Sequence, residues 1–218
     1  MPKQFDLLIF DWDGTLSDST AAIVDALLCA SSDLGFTIPN EQEARDTIGL
    51  ELHAAFIKLL GDIDAATAQA LTERYNHYYN AASHGIQLFD GVYHGLQELI
   101  SLGFKLAVAS GKREHSLRQS IEQANFTNLM AAVRSVENCL SKPHPQMLQE
   151  IMHELSVPQQ RSLMIGDSVF DLQMAQNAGV ASLGVSYGAQ AEHALIPHKP
   201  LACFDNFATL HAWLRTNA

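Results

Sequence analysis

Cysteine is scarce in this chain of 218 residues: Cys29, Cys139 and Cys203 stand far apart, and no C-x-x-C pair occurs. An odd number at such spacing excludes a disulfide framework and a zinc or dithiol motif, and fits free thiols in a reducing cytosol. Positive charge is also short. Thirteen Lys and Arg face 24 Asp and Glu, for a net charge of −11, a balance that repels phosphate backbones and anionic lipid and argues against nucleic-acid or membrane-surface partners. Long apolar runs are missing too. The first one, Leu7 to Phe10, is cut off by Asp11, too early for a signal-peptide core or a membrane span. These absences predict a cytoplasmic protein. They leave room for a small anionic ligand, because a bound cation or a buried Lys can reverse the local field of an acidic chain.

With 47% hydrophobic and 17% charged residues the chain is expected to be globular, and its length fits one or two domains. Phe5 to Phe10 reads as a fully buried strand that ends in the turn-forming pair Asp13-Gly14. Similar short apolar runs recur at Lys105 to Ala109, Ser162 to Ile165 and Val180 to Val185, each next to a helical pattern. That alternation predicts parallel βαβ units and an α/β core.

Between Ser17 and Gln87 no strand-like run occurs, which predicts an inserted helical domain. Its first helix runs from Ser17 to Leu34, with Ile23, Leu27, Ala30 and Leu34 on one face and Gly35 as its stop. Helices near Glu51 to Leu60 and Ala65 to Ala82 follow. Phe36 to Asn40 and Ile86 to Gly91 read as linkers. The expected division is therefore a core of residues 1–16 and 88–218 around a helical unit of 17–87.

Four strand-end elements carry the chemistry. Asp11-Trp12-Asp13-Gly14-Thr15-Leu16 places two carboxylates just past a buried strand, where ligands of open α/β sheets bind; the same letters also fit a plain Asp-Gly turn. Gly166-Asp167-Ser168-Val169-Phe170-Asp171 places a second acidic pair after another strand, although Asp171 alone could be a helix cap. Together these acids offer the hard oxygen ligands that Mg²⁺ prefers. Val108-Ala109-Ser110-Gly111-Lys112 sets a hydroxyl and backbone N–H groups at a glycine turn, able to bind phosphate oxygens or to be an ordinary turn. Lys142-Pro143, within Ser141 to Pro145, could aim an ammonium into a site or remain solvated.

Taken in order, these elements resemble the motif set of the haloacid dehalogenase-like hydrolases: D-x-D-G-T, a Ser or Thr ending a strand, a Lys before a helix, and G-D-x-x-x-D. The resemblance spans nearly the whole chain and points to the phosphoglycolate phosphatase-like branch. It implies a Rossmann-like parallel sheet flanked by helices, with an all-α cap inserted after the first motif. It further implies a Mg²⁺-dependent phosphatase acting on a small phosphorylated metabolite, either phosphoglycolate-like or a sugar phosphate. By the same resemblance Asp11 is the nucleophile and Asp13 the general acid and base. Mg²⁺ would be held by Asp11, the backbone carbonyl of Asp13 and Asp167, with Asp171 tuning Lys142 or the outer ligand sphere. Lys142 would neutralise charge on the transferring oxygens, and Ser110 and Gly111 would cradle the phosphate. Ile48, Gly49 and Leu50 lie where such relatives carry a substrate-facing loop, with Arg45 as the one basic residue expected nearby. Trp12 replaces the more usual Phe.

Two other functions compete. Sugar phosphomutases of the same superfamily share both aspartates, but they resemble one another in a cap histidine where this chain holds Ile23. The other alternative is a catalytically idle phospho-binding module on the same fold. The histidines, His77, His84 and His94 among them, match no metal spacing and are expected on helix surfaces. Tyr75, Tyr78 and Tyr79 are expected to pack against other cap helices, or to line the substrate entrance if they face the core. A monomer or a dimer is expected.

Overall fold

The structure is a computed structural model that describes residues 3–37, 40–83 and 85–218. Its elements in chain order are β1 (Leu7–Phe10), α1 (Thr20–Asp33), α2 (Glu41–Arg45), α3 (Leu52–Leu60), α4 (Ala65–Ser83), α5 (Val92–Ser101), β2 (Lys105–Ser110), α6 (Glu114–Gln123), β3 (Ala132–Ser135), α7 (Gln146–Leu155), β4 (Ser162–Gly166), α8 (Val169–Ala178), β5 (Ala181–Val185), α9 (Glu192–Leu195), β6 (Cys203–Phe204) and α10 (Phe207–Asn217). The strands form one parallel sheet in the order β3-β2-β1-β4-β5-β6.

The apolar run of β1 follows from its central place. All four of its residues are buried, because a parallel strand is covered on both faces and has no water-facing side. Alternate side chains feed two cores. Leu8 and Phe10 pack with Trp12, Leu96, Phe126 and Leu210, whereas Leu7 and Ile9 pack with Met147, Ile151, Met164 and Met174. Trp12 meets Phe126 edge-on at 5.9 Å between ring centres, so the change from Phe serves the first of these cores.

Strand order reverses at β1, with β2 on one side and β4 on the other, which makes the carboxyl end of β1 the crevice of a doubly wound sheet. Phe10 is level with Val108 of β2 and with Ile165 of β4. The chain segments that follow these three strands therefore leave the sheet at one edge, and they carry three of the four motifs.

Between β1 and α5 the described residues are helical or irregular, with α1 to α4 around a third apolar cluster of Ile23, Leu27, Phe56, Leu71 and Tyr79. Several expected bounds shift. Helix α1 starts at Thr20 rather than Ser17, because Ser17 pairs with Asp13 and Leu88 in isolated bridges and the Ser19 hydroxyl donates to Asp13 instead of capping the helix. Leu34 lies past its end, 36% exposed. Helix α3 starts at Leu52, with the Glu51 carboxylate accepting from Ala54 N. The expected linker of residues 36–40 falls partly outside the described residues, as does His84; His77 and His94 are exposed. Strands β3 and β6 and helices α2, α5, α9 and α10 add to the elements expected from sequence. No described helix is long and apolar enough to cross a membrane.

Candidate active site

Asp11 leaves β1 nearly sealed from solvent, its N–H donating to Ile165 O at 2.9 Å and thereby extending the ladder to β4. Its Oδ1 accepts from Trp12 N at 2.6 Å and pairs with Lys142 Nζ at 2.9 Å. No hydrogen bond among the described residues reaches Oδ2, so one carboxylate oxygen stays available.

Lys142 comes from the turn before α7 and has no exposed side-chain surface. Its ammonium also donates to Asp171 Oδ1 at 2.6 Å. Asp171 is not the N-cap of α8 but its third residue. Ser168 caps the helix, and its N–H (3.1 Å) and hydroxyl (2.6 Å) donate to Asp171 Oδ2. The run Ser168, Asp171, Lys142, Asp11 thus aims the ammonium at the β1 end. The flanking carboxylates hold Lys142 protonated despite its burial.

Asp167 follows β4 and is fully buried. Its Oδ1 accepts from the Thr15 hydroxyl at 3.0 Å and its Oδ2 from Ala189 N at 2.7 Å. A Cβ on Gly188 would overlap the Gly14 carbonyl oxygen and the Asp167 carboxylate, so the turn after β5 can lie this close only with glycine there. Thr15 and Ser168 stand inside the recognised motifs, but sequence gives them no role: Thr15 reaches Asp167 from another motif, and only the Ser168 capping position three residues before Asp171 is a local signal. The Gly188-Ala189 turn lies outside the four motifs, and its one signal in the sequence is a glycine three residues past a buried strand.

The Asp11, Asp167 and Asp171 carboxylates form one buried cluster, with an oxygen of each within 4.8 Å of the others. Burial is the largest cause raising the Asp11 carboxyl, to about 7, with Asp171 and Asp13 adding to the rise and Lys142 opposing it. Burial raises Asp167 as well, reinforced by Asp11 and Asp171 and opposed by its Ala189 and Thr15 donors. Three carboxylates against one ammonium leave an excess of negative charge that a hard cation would relieve, and an all-oxygen donor set is what Mg²⁺ takes. The residues fit such an ion.

Ser110 ends β2 and lines the same pocket as Asp11 and Asp13. Gly111 meets the helical insertion: a Cβ there would come within 2.7 Å of Gly49 O and 3.0 Å of Leu50 O. The expected loop Ile48, Gly49, Leu50 is therefore seated directly against Gly111 and lines the same pocket as Ser110. Gly111→Ala is expected to push that loop outward and raise KM at least about fivefold for any substrate enclosed beneath it, through misplacement of binding groups; an unchanged KM in steady-state kinetics would contradict the tight seating.

The pocket wall corrects one expectation and meets another. Arg45 does not line it, whereas Lys112 and Arg113 do. Tyr75 and Tyr79 face the pocket as a stacked pair, ring centres 5.6 Å apart, while Tyr78, half-buried against the same apolar cluster, donates to Asp33 at 2.9 Å. Asp13 is turned from the carboxylate cluster towards Ser19 (2.7 Å) and Lys112 (3.2 Å).

Removing Lys142 tests the cluster's balance. Lys142→Met would leave Asp11 and Asp171 buried without their cation, and breaking such a pair costs about 3–5 kcal/mol of stability. Urea unfolding of the metal-free variant should show that loss, and an unchanged midpoint would refute the pairing.

Hard carboxylates, a buried ammonium and a hydroxyl brought to the switch point of a doubly wound sheet define an α/β enzyme that handles an anion. Comparison with known proteins makes this specific. The profile described as haloacid dehalogenase-like hydrolase matches residues 8–185, and the chain belongs to that family. It is 32% identical over 222 residues to a protein named "Probable phosphatase IndB" from Dickeya dadantii (strain 3937), covering 97% of this chain and 96% of that one. It is 26% identical to pyrophosphatase PpaX of Bacillus mycoides (strain KBAB4), covering 95% of both. Among solved structures, a hydrolase from Pseudomonas syringae superposes with a TM-score of 0.88 at 20% identity over 97% of this chain and 99% of that chain. A predicted phosphoglycolate phosphatase from Haemophilus somnus 129pt reaches 0.82 at 23% identity, over 96% and 98%. At these identities the two structures support the fold alone.

Proposed function

We propose that this chain is a Mg²⁺-dependent phosphatase that hydrolyses a small phosphorylated metabolite through an aspartyl-phosphate on Asp11. The observation that carries the reading is the Asp11 carboxylate itself: buried at the strand end, with Oδ1 held by Trp12 N and Lys142 and Oδ2 left without a partner among the described residues. The names of the relatives, a phosphatase and a pyrophosphatase, agree with that class.

In the first step Asp11 Oδ2 bonds to phosphorus as the bond to the leaving oxygen breaks, and Asp13 gives that oxygen its proton. In the second, Asp13 takes a proton from water, the water oxygen bonds to phosphorus, and the Asp11 carboxylate is released with inorganic phosphate. Lys142, the Ser110 hydroxyl and the Gly111 N–H hold the phosphoryl oxygens, placing positive charge and donors where negative charge sits during transfer. Asp11, Asp167 and the backbone carbonyl of Asp13 would hold Mg²⁺, which would supply further positive charge to the transfer. Asp171 acts through Lys142.

Residues 17–87 form the cap in this reading. Its two crossings lie side by side, since Asp18 N donates to Gln87 O at 2.9 Å and Ser17 bridges Leu88. Apolar Ile23, Ile48 and Leu52, with the amides of Asn76 and Asn80, line its side of the pocket and suit a small leaving group with few polar atoms. Ile23 offers no exchangeable proton where a mutase would need one, which favours hydrolysis. The reading is tested by phosphate release from a panel of phosphoglycolate, sugar phosphates and pyrophosphate, with and without Mg²⁺. Free phosphate is expected; an isomerised sugar phosphate, or binding without turnover, would overturn it.

A further inference from the structure

Lys112 closes the third strand-end element without a part in the steps above, yet its ammonium sits beside the group that must move a proton. Its Nζ lies 3.2 Å from both oxygens of Asp13 and donates to the Tyr79 hydroxyl at 2.7 Å. The same nitrogen stands 4.3 Å above the Tyr79 ring. An ammonium has three protons to donate, and these three contacts use them all. The arrangement therefore orients Asp13 and leaves Lys112 no donor for a substrate oxygen. It is also sheltered: the side chains of Lys112 and Asp13 are 9% and 13% exposed, unlike a surface ion pair that contributes little.

Three separate stretches of chain meet here. Asp13 follows β1, Lys112 follows β2, and Tyr79 stands on α4, where it stacks on Tyr75 and packs among Ile23, Leu27 and Phe56. The Ser19 hydroxyl fixes Asp13 Oδ1 from the start of α1. The direction of the Asp13 carboxylate is thus set by groups from the helical insertion as well as the sheet.

We propose that Lys112 and Tyr79 are positioning residues for Asp13, with the Lys112 ammonium seated on Tyr79 holding the carboxylate in the direction from which it delivers a proton to the leaving oxygen. The proposal rests on the reading of Asp13 as general acid. Tyr79 acts as the seat of Lys112, with its hydroxyl also facing the Asp13 carboxylate, and the cap thereby reaches the reaction without touching the phosphoryl group.

Two aryl-sized phosphates separate this role from phosphate binding or folding. Nitrophenolate leaves p-nitrophenyl phosphate without needing a proton, whereas benzyl phosphate must protonate its leaving alkoxide. The value of kcat/KM reports events up to departure of the leaving group, so the later use of Asp13 as base does not enter. For Lys112→Met, kcat/KM on benzyl phosphate is expected to fall about 100-fold, the lower range for loss of a general acid, against less than about threefold on p-nitrophenyl phosphate. Tyr79→Phe, which keeps the ring and removes the hydroxyl, should show the same selectivity at about tenfold. Lys112→Arg, which can still pair with the carboxylate, should recover most of the benzyl phosphate activity and also serves if Lys112→Met does not fold.

Asp13→Asn is the reference. If it loses benzyl phosphate turnover selectively while Lys112→Met and Tyr79→Phe lose both substrates equally, the positioning role is wrong and the reading of Asp13 stands. If Asp13→Asn itself loses both equally, Asp13 is not the acid, and the positioning role falls with it.

Discussion

Asp11→Asn should reduce phosphate release by about 10⁴-fold or more, the range seen when a covalent nucleophile is removed. The amide is nearly isosteric, and its oxygen can still accept from Trp12 N and Lys142, the two contacts that Oδ1 makes now. What disappears is the charge on the oxygen that would attack phosphorus. The same change removes one of three crowded carboxylates, so the metal-free variant should be at least as stable as the parent. Activity and stability would then move in opposite directions, which a folding defect cannot produce. Measured turnover above about a tenth of the parent's, well beyond what loss of a nucleophile permits, would remove Asp11 from the reaction. A variant that melts early would instead show that the carboxylate is needed for the fold.

The second large effect concerns the cation. Treatment with a chelator should eliminate turnover, and Mg²⁺ alone should restore it. An ion that binds the folded cluster should also stabilise the protein, by about 2.7 kcal/mol at a hundredfold excess over its dissociation constant. For a chain of this length that corresponds to roughly 5–10 °C in Tm. The gain depends on pH in a definite direction. Asp11 and Asp167 are both raised by burial, so in the metal-free protein they favour folding fully below the unfolded carboxylate range, near pH 4. That stability is lost as pH rises through the raised values, about 7 for Asp11. Mg²⁺ binds the ionised form and relieves the repulsion, so the rise in Tm should be several degrees at pH 7.5 and small at pH 5. Scanning calorimetry decides it: an equal shift at both pH values would mean that the ion binds elsewhere.

The core strands and all four motifs could be read from the letters because both are written in short range. A strand buried on two faces must be an apolar run, and a carboxylate at its end is conspicuous by contrast: Asp11 after Leu7–Phe10 and Asp167 after Ser162–Gly166 are both of this kind. Edge strands obey no such rule. β3 contains Arg134, whose guanidinium reaches out to Glu150 and Glu154 on α7, and β6 has two half-buried residues. Neither makes an apolar run. In the short helix α2 three of the five residues are charged, Glu41, Glu43 and Arg45, and only its Asn40 cap marks it. The site was legible where one motif supplies a whole function and obscure where function comes from contacts between motifs. Lys112 meets Asp13 across 99 positions and Tyr79 across 33, and no spacing encodes that meeting. Tyr75 and Tyr79 looked like packing residues, and they pack as well as line the pocket.

The loop over Gly111 touches it through the carbonyl oxygens of residues 49 and 50, atoms that every amino acid carries. The half-buried side chain of Leu50 can therefore be exchanged while the backbone contact at Gly111 stays; Ile48 is held in the apolar cluster of the insertion. Such a joint lets the selectivity of the enclosure drift during evolution, or be redesigned in the laboratory, with the reactive floor left undisturbed.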